Sequence, residues 1–288
     1  MLITIDAAKC TKCGTCVEEC PRYVLASGED KLPIVKYAEQ CCTCGHCVAV
    51  CPKGALVHRD MPFQLFTELP EFSVPTEAIE NLLLSRRSVR VFKERGVPRE
   101  DLERLIAAGT NGGTASNGQT EGFIVIQDKK VISDLETLVL EILWRSLKYL
   151  RYGAGRTFVK ATMGAEMLEQ ATTYYRTFGN KRRDGGLAGA IFRNAPAVIV
   201  THGLRKSIPL TITNSALATR NMEITALTMG LGTCWAGFLV TAAHRDKEIA
   251  RFLGLPANRN VYAGLMVGFP KREYKKTIPR KERPLKWM

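Results

Sequence analysis

The sequence predicts an α+β protein with a small cysteine-rich N-terminal part and a larger layered C-terminal part. Nine of the ten cysteines lie between Cys10 and Cys51, and only Cys234 lies beyond them. In the C-terminal part, helical patterns outnumber the short strand patterns, which favours a layered α+β domain over a regular βαβ repeat. The prolines between the two parts, with no apolar periodicity around them, are typical of a linker. We therefore expect domains at residues 1–60 and 76–288, joined by a linker at residues 61–75.

An internal repeat organises the cysteine-rich part. The run from Cys10 to Pro21 recurs 31 residues later from Cys41 to Pro52, and both copies read C-x2-C-x2-C-x3-C-P. This spacing is that of bacterial-type ferredoxins with two clusters, in which the fourth cysteine of each run ligates the other cluster. The run thus predicts two 4Fe-4S clusters, one held by Cys10, Cys13, Cys16 and Cys51 and the other by Cys41, Cys44, Cys47 and Cys20.

Zinc and disulfides are the alternative uses of so many cysteines. Zinc sites usually take two Cys-x2-Cys pairs, and disulfides are disfavoured because the N-terminus shows no secretory signal. Cys42 lies outside the repeat, and we expect it to pack beside a cluster. His46 stands where the first run has Thr15. We expect its side chain to be solvated, with tuning of the cluster potential as the alternative.

Apolar spacing places the elements of the C-terminal part in order. A helix begins near Pro75, a residue suited to the first helical turn. The next helix, at residues 99–108, carries Leu102 and Leu105 on one face and ends at Gly109. Further helices are predicted at about 132–150, 164–178, 213–230 and 245–253, and buried strands at 123–126, 197–201 and 261–267.

The C-terminal part resembles the FMN-dependent nitroreductases in four segments that follow the order of that family. These segments are SRRSVRVF at 85–92, SNGQ at 116–119, GLGTCWAG at 230–237 and IPRK at 278–281. With the doubled cysteine run, the whole chain resembles a ferredoxin-fused nitroreductase, in which a bacterial-type ferredoxin domain precedes a nitroreductase-like layered α/β domain. The resemblance implies an FMN-dependent oxidoreductase that forms a homodimer with two FMN sites at the interface.

The resemblance also implies FMN contacts in each segment, whereas it assigns no catalytic residue. The first segment binds the phosphate and ribityl chain, and Arg90 reaches the pyrimidine edge of the flavin, where a cation stabilises the charge that appears on reduction. The loop contacts the flavin, often from the neighbouring subunit, and a backbone amide of the third segment addresses flavin N5. The implied cofactor-binding residues are Arg86, Arg87, Ser88, Arg90, Ser116, Asn117, Gln119, Cys234, Trp235, Ala236, Gly237, Arg280 and Lys281.

The same residues have simpler interpretations when the resemblance is set aside. The arginine run also suits a solvated basic helix end, because cations favour the C-terminus of a helix. Cys234 has no histidine nearby in the sequence, so packing is favoured over a catalytic thiol. The family usually has Gln-Pro-Trp in the loop, whereas this chain has Gln119-Thr120-Glu121. The wall of the site that faces the substrate therefore differs from the family pattern.

The net charge of the chain limits which classes of binding partner are expected. The chain carries 41 basic and 28 acidic residues, a net charge of +13, and the whole excess lies beyond residue 60. Nucleic-acid binding is not expected, because the sequence lacks interleaved aromatics or a helix-turn-helix signature. A membrane partner is not expected either, since no apolar stretch is long enough to span a bilayer. The basic surface suits an acidic electron donor such as ferredoxin, and the absent signal predicts a cytoplasmic protein.

These observations predict an enzyme that passes electrons from reduced ferredoxin or NAD(P)H through the clusters and FMN to a small organic acceptor. The family reduces nitroaromatics, quinones and activated alkenes, and the sequence does not select among them. No G-x-G-x-x-G fingerprint follows a strand, so a Rossmann nicotinamide domain is not expected. The alternatives are a non-enzymatic electron carrier or redox sensor with the same cofactors, and an iron–sulfur protein that binds nucleic acid.

Overall fold

The computed structural model describes residues 1–71, 73–184 and 186–288, which form two compact units. The first unit combines Met1–Val74 with the short segment Thr114–Gln119. The second unit combines Pro75–Gly113 with Thr120–Met288. Helices and strands occur together in the chain, which confirms the predicted α+β class. Among the described residues, no helix is both long and apolar enough to cross a membrane.

The first unit consists of two short two-stranded antiparallel sheets around a small apolar core, and each copy of the sequence repeat forms one half of it. Its elements are β1 (Ile3–Ile5), α1 (Thr15–Glu18), β2 (Leu25–Ser27), β3 (Pro33–Val35), α2 (His46–Ala49) and β4 (Leu56–His58). Strand β1 pairs antiparallel with β4, and β2 pairs antiparallel with β3. Gly14 and Gly45 precede the two helices with φ angles of 81° and 75°. This left-handed backbone explains the glycine that follows the second cysteine of each run.

The second unit is built on a four-stranded antiparallel sheet. Its strands are β5 (Gly122–Ile126), β6 (Ala197–Leu204), β7 (Gly232–Trp235) and β8 (Arg259–Gly268), arranged in the order β5-β6-β8-β7. Alternate residues of β6 face opposite cores, with Val198 and Val200 in one and Ala197 and Ile199 in the other. Because both faces of the central strands are covered, each has a mainly apolar stretch, at 197–200 in β6 and at 261–267 in β8.

Helices cover both faces of this sheet. They are α3 (Thr76–Ser85), α4 (Arg99–Thr110), α5 (Lys129–Leu147), α6 (Gly153–Met163), α7 (Ala165–Arg183), α8 (Ile208–Thr228), α9 (Gly237–Arg245) and α10 (Glu248–Phe252). Residues of α4 and α8 share the core that contains Ile199, whereas α5, α7 and α9 share the core that contains Val200. The sheet is therefore the middle layer of three.

The structure extends some predicted elements and adds others. The strand predicted at 197–201 runs to Leu204, and the helix predicted at 164–178 runs to Arg183. Helices α6 and α9 and strand β7 were not predicted. The prediction of one helix at 245–253 is wrong at its start. Helix α9 ends at Arg245, Asp246 has an extended backbone, and α10 begins at Glu248. Strand β7 has four residues and begins with a glycine, and only its pairing with β8 defines it as a strand.

Candidate redox centres

The eight cysteines of the two runs line two separate hollows of the first unit. One hollow is lined by Cys10, Cys13, Cys16 and Cys51, and the other by Cys20, Cys41, Cys44 and Cys47. The fourth cysteine of each run therefore lies with the first three cysteines of the other run. This is the crossed grouping that the repeat predicts, and the ligation itself stays a prediction. Cys42 also lines the second hollow, as does the ring of His46, which is exposed.

Backbone amides donate to the cysteine sulfurs in both halves of the unit. The bonds occur in matched pairs, 31 residues apart: Lys12 to Cys10 and Thr43 to Cys41 at 3.4 Å, and Val24 to Cys20 and Ala55 to Cys51 at 3.2 Å. Hydrogen bonds of this kind stabilise negative charge on sulfur and tune the potential of a cluster. Equivalent cysteines of the two runs thus accept equivalent backbone hydrogen bonds.

Burial raises the pKa of three thiols in these hollows, those of Cys16, Cys44 and Cys47, whereas hydrogen bonds from Thr15 lower the pKa of the exposed Cys13. Burial raises the pKa of Cys47 to about 11, and the neighbouring Cys44 and Cys20 add to this effect. Burial also raises the pKa of Cys16, with a further contribution from Cys51. Because metal ligands must be thiolates, a core of iron ions that supplies positive charge fits this donor set. Within the described ranges, no three His, Cys, Asp or Glu side chains are grouped to hold a single metal ion.

In the second unit, the arginine run predicted to bind FMN lies beside the segment at 230–237. Ser88 forms a parallel β-bridge with Thr233, and the amide of Val89 donates to the Thr233 carbonyl at 2.8 Å. The guanidinium of Arg90 and the hydroxyl of Ser88 lie close enough to Cys234 to lower the pKa of its thiol. Two segments that are distant in the sequence therefore form one site.

The environment of Cys234 indicates a packed thiol. Burial raises the pKa of Cys234, and the charge of Arg90 and the hydrogen bond from Ser88 lower it only in part. The side chain lies in the core that also contains Ala236 and Leu239. A thiol with a raised pKa stays protonated near neutral pH and is a poor nucleophile. The structure therefore favours the packing interpretation over a catalytic one.

A buried carboxylate on α8 pairs with two arginines beside this site. Arg86 Nη1 lies 3.1 Å from Glu223 Oε1, and Arg220 Nη1 lies 2.6 Å from Glu223 Oε2. The Glu223 side chain is 3% exposed, whereas Arg86 and Arg220 are 20% and 39% exposed. Two guanidinium groups on one carboxylate leave an excess positive charge at the surface. Guanidinium groups with free donors suit a phosphate group.

Glu223 and Arg220 are not among the residues that the sequence predicts for the site. A signal for both was present, because they form an i,i+3 charged pair on a helix that is otherwise rich in apolar and small residues. Glu121, which stands where the family usually has tryptophan, is a partly buried acidic residue. Its Oε1 accepts a hydrogen bond from Asn214 at 2.8 Å, and its buried Oε2 has no partner among the described residues.

Arg87 differs from its neighbours because its donors are used within the protein. Its Nη1 donates to the carbonyls of Leu84 and Arg86, and its Nη2 donates to the carbonyl of Lys276 at 3.2 Å. Its buried Nε has no partner within the part of the chain that the structure describes. The side chain thus holds the end of α3 against the C-terminal segment. Contact of Arg87 with FMN stays a prediction.

The backbone around the start of α9 limits which amide can face a flavin. The Ala236 amide donates to the Gly264 carbonyl at 2.7 Å, so it is used within the sheet. Gly237 is the first residue of α9, and its amide has no acceptor within the helix because helical amides bond four residues back. Trp235 is 39% exposed next to it. Among the predicted residues, the Gly237 amide is therefore the better candidate for flavin N5.

The remaining predicted FMN residues lie in other parts of the chain. Ser116, Asn117 and Gln119 belong to the first unit, where Arg22 Nη2 donates to Ser116 Oγ at 2.8 Å and Asn117 Nδ2 donates to the Thr43 carbonyl at 2.7 Å. Arg280 and Lys281 lie in the exposed segment that follows β8. The structure itself brings together Arg86, Ser88, Arg90 and the residues 232–237.

Comparisons with known proteins assign both parts of the chain. The model of the nitroreductase family matches residues 83–269, and the model described as a 4Fe-4S dicluster domain matches residues 9–56. The chain therefore belongs to the nitroreductase family and carries a 4Fe-4S dicluster domain. It is an FMN-dependent oxidoreductase of the nitroreductase type.

Individual relatives agree with this assignment. A protein of Archaeoglobus fulgidus, named as an NADH dehydrogenase/NAD(P)H nitroreductase, is 23% identical over 196 residues, which are 67% of this chain and 85% of the relative. A nitroreductase with bound FMN from Desulfitobacterium hafniense has a TM-score of 0.53 at 18% identity, covering 74% of this chain and 100% of its own. A BluB-like flavoprotein from Clostridium difficile has a TM-score of 0.52 at 18% identity, covering 71% and 94%. These two structures share the fold.

Proposed function

We propose that the chain passes electrons from reduced ferredoxin or NAD(P)H through two 4Fe-4S clusters and FMN to a small organic acceptor. The acceptor class is a nitroaromatic, a quinone or an activated alkene. The observation that carries the proposal is the grouping of eight cysteines around two hollows in a chain that also has a nitroreductase domain. Clusters deliver single electrons, and a flavin stores two and transfers them as a pair.

The residues that bind FMN are proposed from the geometry of the second unit. Arg86 and Arg220 provide the excess positive charge for the phosphate, with Arg280 and Lys281 of the terminal segment as further cations. Arg90 is exposed, and its Nη1 lies 3.5 Å from the Ser88 carbonyl, so most of its donors are available to a ligand. A fixed cation at the pyrimidine edge favours the reduced flavin, because charge develops there on reduction.

The proposal also covers the oligomeric state, the cellular location and the electron donor of the protein. We propose a homodimer, because the resemblance places FMN sites of this family at a subunit interface. We propose a cytoplasmic location, because the eight cysteines of the two runs must stay reduced to serve as cluster ligands, and thiols persist in a reducing compartment. The basic second unit suits an acidic protein donor. The name of the Archaeoglobus relative supports a nicotinamide donor as the other candidate.

The test is anaerobic stopped-flow spectroscopy on the full chain with its cofactors. One arm supplies reduced ferredoxin and the other NADPH or NADH, and the flavin absorbance reports reduction. The reduced protein is then mixed with a nitroaromatic, a quinone and an activated alkene in separate shots. We expect one donor to reduce the flavin and one acceptor class to reoxidise it, with each reduced flavin transferring two electrons to one acceptor molecule. Reduction without faster reoxidation by any acceptor would instead indicate an electron carrier.

The Cys44→Ser variant tests whether electrons from ferredoxin reach the flavin through the clusters. Cys44 lines the second hollow, and its replacement is expected to damage that cluster while leaving the second unit intact. Flavin reduction by ferredoxin should then be lost, whereas reduction by dithionite should remain. Equal reduction by ferredoxin in Cys44→Ser and the unchanged protein would contradict a route through the clusters.

A further inference from the structure

The two halves of the first unit match in their backbone but differ at one buried side chain. Strand β4 follows β2 with the 31-residue offset of the repeat, so His58 occupies the position of Ser27. His58 is 2% exposed, whereas Ser27 is exposed. Since the amide-to-sulfur hydrogen bonds are matched in the two halves, this difference distinguishes the two cluster environments.

The tautomer of His58 follows from its two ring contacts. Nδ1 accepts a hydrogen bond from the amide of Asp60 at 3.2 Å, and Nε2 lies 3.5 Å from Cys41 Sγ. A neutral imidazole has one acceptor nitrogen and one N–H donor. Because Nδ1 is the acceptor, Nε2 carries the hydrogen and donates to the Cys41 sulfur. The buried histidine therefore provides a fixed donor to the second hollow.

The first half has a side-chain donor of a different kind. Thr15 Oγ1 donates to Cys13 Sγ at 3.3 Å, but Cys13 is exposed. Water competes with a donor at an exposed sulfur, whereas it cannot replace the imidazole in the buried position. A donor N–H stabilises the more negative, reduced state of a cluster and so raises its potential. The side-chain contribution to the potential is thus larger at the second hollow.

The segment Thr114–Gln119 contacts residues beside the second hollow. Asn117 binds the carbonyl of Thr43, which lies within the second cysteine run, and Arg22 lies two residues beyond Cys20 and binds Ser116. Ser116, Asn117 and Gln119 have φ angles of 52°, 52° and 43°. Such a backbone is unfavourable for residues other than glycine and persists where its surroundings hold it. The chain on both sides of this segment belongs to the second unit.

We infer that the cluster of the second hollow is the one that delivers electrons to the flavin, with His58 setting its potential and the Arg22–Ser116 contact positioning the connecting segment. The inference rests on the proposed function. Each transfer moves one electron from the first cluster to the second, so that the first is oxidised as the second is reduced, and no bond forms or breaks. Two such transfers supply the electron pair that one FMN stores.

The potential is tested by redox titration of the full chain, followed by electron paramagnetic resonance. In His58→Leu, which removes the donor, the midpoint potential of one cluster should fall and that of the other should stay. A shift of about 59 mV in one cluster's midpoint potential changes the ratio of the two singly reduced clusters tenfold, because each cluster takes up one electron. His58→Gln retains an N–H donor and should restore part of the shift. Ser27→Ala, at the exposed position that the repeat relates to His58, should leave both potentials unchanged.

The direction of transfer is tested with a pair of variants related by the repeat. Arg22 and Lys53 both follow the Cys-Pro that closes a run, and Lys53 is exposed. In Arg22→Ala, iron content and both potentials should be retained, and cluster-to-flavin transfer after rapid reduction should slow about fivefold to tenfold, as expected for the loss of one hydrogen bond. Lys53→Ala should transfer at the unchanged rate.

The outcomes separate this inference from the proposed function. If Lys53→Ala slows the transfer and Arg22→Ala does not, the first cluster is the exit and the inference is wrong. It is also wrong if His58→Leu lowers neither potential in protein that keeps its iron. If the unchanged protein assembles both clusters but never reduces its flavin through them, the proposed function itself has failed.

Discussion

Ser88 and Thr233 lie side by side in a parallel β-bridge, which joins the segment after α3 to strand β7. The bridge places Arg90 and Ser88 next to Cys234, and it requires a close approach of the two backbones. Gly232 makes this approach possible. A Cβ atom at position 232 would lie 2.6 Å from a methyl group of Val89 and 2.9 Å from the ring of Pro270.

The variant Gly232→Ala should therefore disturb the bridge. Both neighbours are short, stiff side chains, so the added methyl group forces the backbones apart. We expect a loss of about 1–3 kcal/mol in the free energy of unfolding, measured in urea. The matched control is Gly96→Ala, where a Cβ would meet no atom within 4 Å. Equal stability of the two variants would show that the bridge tolerates a wider spacing.

The buried carboxylate of Glu223 should stabilise the second unit through its two arginines. Glu223→Gln keeps the shape but removes the charge that Arg86 and Arg220 share. Because the arginines remain partly exposed, we expect a loss of about 2–3 kcal/mol in the free energy of unfolding. Glu103→Gln, in the exposed pair with Arg99, should change the free energy of unfolding much less, because water screens that pair. A similar small effect at both positions would mean that water screens the Glu223 pair.

Arg86 and Arg90 should affect FMN in different ways. In the proposed site Arg86 binds the phosphate, whose charge is present in both redox states, so Arg86→Ala should lower the affinity by about 1.5–3 kcal/mol with little change in potential. Arg90→Ala removes charge that favours the reduced flavin, and its midpoint potential should fall by about 30 mV for each 1.4 kcal/mol lost. Redox titration with FMN-binding measurements checks both. A potential shift in Arg86→Ala alone would reverse the two roles.

The crossed grouping of the cysteines predicts which cluster each variant damages. Cys20 lies with Cys41, Cys44 and Cys47, so Cys20→Ser should damage the cluster of the second run. Cys51→Ser should damage that of the first run. Iron analysis should give about eight irons per unchanged chain, and Cys42→Ser should keep that number. Four irons in the unchanged chain, or stoichiometric zinc, would rule out two 4Fe-4S clusters.

His202 should make the stability of the second unit depend on pH. Burial lowers the pKa of His202, and the nearby charge of Arg259 lowers it further. Below the ordinary histidine pKa of about 6.5, the unfolded chain binds a proton that the folded chain does not. Stability should therefore fall as the pH drops from about 6.5 through the folded pKa, and this contribution should be constant above 6.5.

The variant His202→Gln isolates this effect. Glutamine can still accept the hydrogen bond that Arg259 Nε donates at 2.9 Å, but it does not titrate. All three tryptophans lie in the second unit, so their fluorescence during urea unfolding reports on that unit. We expect a smaller loss of stability between pH 7 and pH 5 in this variant than in the unchanged protein. Identical pH profiles would show that His202 protonates freely in the folded state.

Some features could be predicted from the sequence because they depend on local spacing. The helix at 99–108 was recognised from apolar residues on one face, and the structure extends it by two residues to Thr110. The strand at 197–201 was recognised from a continuous apolar run. Strand β7 was not predicted, because a segment of four residues with a glycine has no periodicity of its own and becomes a strand only by pairing with β8.

The sequence by itself determined the number, spacing and pairing of the cysteine runs, since a repeated ligand spacing constrains how short loops surround a cluster. It also determined the family, because four segments follow the family's order. Only the tertiary structure decided that Glu223 pairs with Arg86, that His58 faces Cys41 and that Asn117 belongs to the first unit. These contacts join residues far apart in the chain, and each forms because a buried polar group must find a partner wherever packing places one.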